Sequence, residues 1–89
     1  MNHVVKRGGH TEAYDQRKLY ATVFSACIAV RVPEGEAELV AEKVCQDLDN
    51  WMKIKKEVTS HDIHRVAVKH LRVYNPDAAY IYEHHRNIS

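Results

Sequence analysis

The sequence predicts an α+β fold that is mostly α: about four helices capped by a small β-hairpin or three-stranded sheet. Three observations predict it. Apolar residues recur at helical spacing over four separate stretches. Pro33 and Pro76 fall between those stretches. A short N-terminal segment, Val4-Val5-Lys6-Arg7-Gly8-Gly9, reads instead as extended chain entering a turn, since both central residues of a type I′ turn need positive φ.

Residues 3–7 and 11–14 are the two expected strands. Two strands this short are marginal alone, so they must lie on helices. Asp15 sits where a helix N-cap belongs, and periodic apolar residues begin at Leu19. The first helix spans 16–30, with Leu19, Val23, Ala26, Cys27 and Val30 on its buried face and Tyr20, Phe24 and Ile28 widening it. The second spans 36–52. Its inner face is Leu39, Val40, Val44, Leu48 and Trp51; its outer face carries Glu36, Glu38, Glu42, Asp47 and Asp49. The basic connector Lys53-Ile54-Lys55-Lys56 follows, and Glu57-Val58 offers a third strand. Thr59 with Asp62 three residues on has the form of a capping box. The third helix then buries Ile63, Val66, Ala67, His70 and Leu71, and sets Arg65, Lys69 and Arg72 on another face. Asn75-Pro76 closes it and opens a fourth helix over 76–86, packing Ala79, Tyr80 and Tyr82.

Composition narrows the function. Eighty-nine residues make a single domain, 1–89, with one modest core. Hydrophobic content of 45% and charged content of 28% are globular rather than disordered. A net charge of +1 makes nucleic acid an unlikely partner. No apolar run reaches a membrane span and no signal-peptide pattern opens the chain, so the expected location is cytoplasmic. Cys27 and Cys45 fall at apolar helical positions and read as buried free thiols. The seven histidines form no familiar metal-ligand spacing, and no zinc ribbon is present, so no metal site is expected.

The order of polar residues resembles the ATP-cone, the nucleotide-binding regulatory module of many ribonucleotide reductases and of the repressor of their operons. The carrying residues are Val4-Val5-Lys6-Arg7-Gly8-Gly9, Glu12, Tyr14-Asp15 and Lys18, then Val58-Thr59-Ser60-His61-Asp62-Ile63-His64, then Tyr80-Ile81-Tyr82. Together they cover the chain from His3 to Arg86. The resemblance implies a non-catalytic allosteric domain that binds ATP or dATP with Mg²⁺. It implies phosphate contacts from Lys6, Arg7 and Lys18, base contacts from Glu12 and Asp15, and a phosphate side completed by Ser60 and His64. Cations suit a triphosphate, and carboxylates accept hydrogen bonds from an exocyclic amine. Partners would be the adenine nucleotide and either a second copy or a reductase-type domain, whose oligomerisation or activity it would control. The turn departs from the family in carrying Gly8-Gly9, and Arg86 is the one obvious basic residue late in the fourth helix. The sequence contains no zinc ribbon, which is expected to separate it from the operon repressor, whose ATP-cone follows one. With no Walker motif, hydrolysis is not expected. The alternatives are an interaction module of the same fold without nucleotide binding, and a small nucleic-acid-binding regulator using Arg65, Lys69, Arg72 and the basic connector.

Overall fold

Strand β1 (His3–Val5) lies at the centre of a three-stranded sheet in the computed structural model. The structure describes residues 3–5, 11–13, 15–55 and 58–84, the first two stretches by backbone alone. β2 (Thr11–Ala13) runs antiparallel to β1, pairing Val4 with Glu12 and Val5 with Thr11. β3 (Val58–Thr59) runs parallel to β1 on its other side, pairing Val4 with Val58 and Val5 with Thr59. The glycine turn between β1 and β2 lies outside the described residues.

Four helices follow: α1 (Gln16–Ala29), α2 (Glu34–Lys53), α3 (Ser60–Tyr74) and α4 (Pro76–His84). They pack as a ring in which α1 meets α2 and α4, and α3 meets α2 and α4. The core takes Leu19, Val23, Ala26 and Cys27 from α1, and Val40, Val44, Cys45 and Leu48 from α2. Val66, Ala67, Val68 and Leu71 come from α3, with Ala78, Ala79 and Tyr82 from α4. Ala37, Ala41, Ala67, Ala78 and Ala79 are fully covered, so the helix backbones approach closely at those points. A smaller apolar cluster of Met52 and Val58, flanked by Trp51 and Ile63, fastens β3 to α2 and α3.

The helix ends follow from local chemistry. Asp15 caps α1 through its carboxylate. Thr59 and Asp62 form the reciprocal capping box of α3. Asn75 serves two helices: its backbone N–H donates to the Leu71 carbonyl, and its Oδ1 accepts from the Ala78 amide at 2.9 Å. α1 ends in a Schellman motif. The Arg31 amide donates to the Ile28 carbonyl and the Val32 amide to the Cys27 carbonyl. Arg31 therefore occupies the position usually held by glycine, with φ of 66°.

Some expected faces are turned. Leu39 is 56% exposed rather than buried, and Tyr80 is 63% exposed. Ile28 is also exposed. The alanines explain this: close contact at Ala37, Ala41, Ala78 and Ala79 rotates the buried arc away from the larger side chains. α2 begins at Glu34, directly after Pro33, and Gly35 stands in open space within its first turn. Asp47 and Asp49 are half-buried rather than outward-facing. Asp47 accepts a 2.8 Å bond from the Tyr74 hydroxyl and lies 3.3 Å from His70 Nδ1. Asp49 accepts from Gln16 Nε2 at 2.7 Å. Both cysteines are buried free thiols, as their spacing suggests, and burial pushes Cys45 up to about 11. Among the described residues no helix is long and apolar enough to cross a membrane.

Two predictions follow from the ends. Arg31→Gly removes the Cβ strain of a left-handed residue, partly offset by glycine's unfolded-state entropy, so it should stabilise the chain by about 0.5–1 kcal/mol in urea unfolding. The Thr59 backbone N–H, donating to Asp62, holds that carboxyl below its ordinary range. A depressed folded-state value contributes stability above the unfolded pKa of about 3.9, lost as pH falls through the folded value. The stability gap between the parent chain and Asp62→Ala should therefore be full at neutral pH and shrink below about pH 4.

Candidate functional site

The sheet decides which polar residues meet. β1 ends at Val5, whose ladder partner is Thr59, the N-cap of α3. Lys6 and Arg7 follow Val5 directly in the chain, and Ser60 follows Thr59. Parallel pairing thus sets the end of β1, at Val5, beside the N-cap of α3. Lys6 and Arg7 themselves lie outside the described residues, as does the side chain of Glu12, whose backbone pairs with Val4 in mid-sheet.

α1 starts from the other end of the sheet. β2 finishes at Ala13, opposite His3, and Asp15 then caps α1. Strands lie ~4.8 Å apart and rise ~3.3 Å per residue, so Ala13 and Thr59 are separated by roughly 12 Å across β1. The chain therefore enters α1 from one side of the central strand and α3 from the other.

Among the described candidates, the Asp15 and His64 side chains have partners. Asp15 Oδ1 accepts from the Arg17 amide at 3.0 Å and the Lys18 amide at 3.4 Å, and sits 3.8 Å from Arg17 Nε. All three contacts use Oδ1. Lys18 is exposed on the first turn of α1. In the α3 box, the Asp62 amide donates to Thr59 Oγ1 at 3.0 Å and the Thr59 amide to Asp62 Oδ2 at 3.1 Å. That box does not engage the amides of Ser60 and His61, which belong to the positive end of the helix. Ser60 is exposed. His64, one turn further on, is half-buried, and its ring stacks on Tyr82 of α4 at 5.0 Å between centroids.

Sequence reasoning missed Tyr82 as the partner of His64, because a cross-helix ring contact leaves no periodic signal. It also missed a shallow open groove of about 460 Å³ between α1 and α2, lined by Gln16, Arg17, Tyr20, Glu42, Cys45 and Gln46. The basic face of α3 carries local ion pairs: Arg65 with Asp62 at 3.8 Å and Arg72 with Glu83 at 3.7 Å. Among the described residues no group of three His, Cys, Asp or Glu side chains could hold a metal ion.

Comparison with known proteins places this geometry. The family model described as the ATP cone domain matches residues 2–88. The transcriptional repressor NrdR of Thermosynechococcus vestitus is 30% identical over 78 residues, covering 88% of this chain and 46% of that protein. The transcriptional repressor NrdR of Carboxydothermus hydrogenoformans is 28% identical over 78 residues, covering 88% and 49%. The chain spans about half the length of these curated relatives. They correct the expectation that nucleic acid is an unlikely partner, since both are repressors of transcription. A net charge averaged over 89 residues is no guide to a local basic face or to the half of the relatives left unmatched. For the same reason, lack of a zinc-ribbon spacing in this stretch does not separate it from repressors. With the match running through the sheet and all four helices, the chain belongs to the ATP cone domain family.

Proposed function

We propose that the chain is a non-catalytic nucleotide-sensing domain that binds ATP or dATP and serves a transcriptional repressor. The observation that carries this reading is the β1–β3 pairing, which sets Val5, the residue before Lys6-Arg7 in the sequence, beside the Thr59 cap of α3. Two cations next to a positive helix end and an exposed hydroxyl make a chemically apt phosphate cradle. In this reading Lys6, Arg7 and Lys18 neutralise phosphate charge, and Ser60 and His64 complete that side. Glu12 and Asp15 face the base, Asp15 through the oxygen its cap leaves over.

The donor set suits a nucleotide better than a lone metal ion. Mg²⁺ would arrive with the phosphates, which bridge it readily while it keeps several waters. The separation of roughly 12 Å across β1 also suits an extended ligand that spans both helix starts.

Binding would act by favouring one arrangement of sheet and helices over another, the only way a ligand can shift a conformational equilibrium. In a protein related to transcriptional repressors, that shift would bias occupancy of nucleic acid by adenine nucleotide level. The regulated operon and the assembly involved belong to the whole protein.

Calorimetric titration of the folded chain with ATP, dATP and GTP in Mg²⁺ tests the reading. Adenine-selective binding on the order of micromolar Kd, about −8 kcal/mol, is expected. Lys18→Ala should weaken it about tenfold or more, the scale of a lost charge-assisted hydrogen bond. Equal heats with GTP, or none with any nucleotide from a folded sample, would overturn it.

A further inference from the structure

The His64 and Tyr82 rings are nearly coplanar in tilt, with 18° between planes and centroids 5.0 Å apart. The two residues differ in setting. Tyr82 is 7% exposed and belongs to the main core, on the face of α4 packed against α1 and α3. Burial pushes its phenol up to about 12, so it stays neutral at working pH. His64 is half-buried on α3, one turn from exposed Ser60. One ring is thus fixed in the core, and the other lies on it at the edge of the candidate phosphate side.

We propose that Tyr82 is a positioning residue of the nucleotide site, fixing the plane of the His64 imidazole with Nε2 turned into the protein, and so the direction in which Nδ1 addresses a bound phosphate. The inference rests on the nucleotide-binding reading above. The torsion that turns a histidine ring about its Cβ–Cγ bond is broad and soft. A stacked aromatic wall removes that freedom before the ligand arrives, and binding then loses less entropy. The same wall ties α4 to the site. A shift of α4 would carry the Tyr82 ring with it and re-aim His64, although no other α4 residue need touch the ligand.

A purely structural role for Tyr82 predicts something different. Filling the core would affect binding, if at all, independently of His64. A double-mutant cycle separates the two. ATP in Mg²⁺ is titrated calorimetrically into the full chain and into Tyr82→Phe, Tyr82→Leu, His64→Ala and the Tyr82→Leu/His64→Ala double variant. Tyr82→Phe keeps the ring and should bind within about twofold of the parent. Tyr82→Leu should weaken ATP about three- to tenfold, the range of an aromatic pair. The double variant should be no weaker than His64→Ala alone. An equal loss from Tyr82→Leu in both backgrounds, or no loss in either, overturns the inference while leaving nucleotide binding intact. A folded parent chain that binds no ATP removes the nucleotide reading, and this inference with it. Should Tyr82→Leu fail to fold, the parent chain answers by NMR during the ATP titration. His64 and Tyr82 ring resonances moving together support the inference; a His64 shift beside a stationary Tyr82 overturns it.

Discussion

The parallel pairing of β1 with β3 is the constraint on which the rest depends. It sets only two pairs of residues side by side, Val4 with Val58 and Val5 with Thr59. Yet a two-stranded ribbon of three-residue strands is marginal in water, and the third strand gives it a hold on the helices. Val58 supplies that hold by burying itself with Met52 against Trp51 and Ile63. Thr59 then works twice, as the ladder partner of Val5 and as the cap that starts α3. Sheet position and helix start are consequently one structural event. The end of β1, at Val5, therefore lies beside the N-cap of α3.

The helical ring supplies the rigid frame behind that event. Fully covered alanines on α2, α3 and α4 let the backbones close up, and Leu48, Leu71 and Val23 fill the centre. Among the described residues the buried side chains are apolar apart from the Cys27 and Cys45 thiols and the Tyr82 phenol, so the core imposes little hydrogen-bonding register of its own. Directional chemistry is confined to helix ends and seams: the Thr59–Asp62 box, Asn75 between α3 and α4, and Asp47 with His70 and Tyr74 between α2 and α3. A ligand acting at the helix starts therefore addresses the places where polar bonds set geometry.

Those local polar signals were also the legible ones. Asp15, Thr59 with Asp62, and Asn75-Pro76 each declare a helix end from residue type and spacing, and each cap forms. The four helices were readable from periodicity for the same reason. Their orientations were less so. Leu39 and Tyr80 belong by hydrophobicity inside, but alanine-mediated close packing chose a neighbouring arc, a tertiary effect invisible to periodicity. The shared face of Ser60 and His64 follows from i, i+4 spacing, whereas the stacking of His64 on Tyr82 joins residues 18 positions apart on different helices. The nucleic-acid expectation failed differently. It took a net charge averaged over 89 residues as a statement about partners, and the repressor relatives show how little that average constrains.

In the proposed reading, nucleotide is felt at the junction of β1, β3 and α3. Amide hydrogen exchange with and without saturating ATP and Mg²⁺ tests it most directly, because opening of short ladders and first turns is the slowest to hide. Slowed exchange is expected at Val5, at residues 58–62 and in the first turn of α1 around Lys18, with the middle of α2 unchanged. Exchange that stays the same at residues 58–62 while ATP is bound would contradict it.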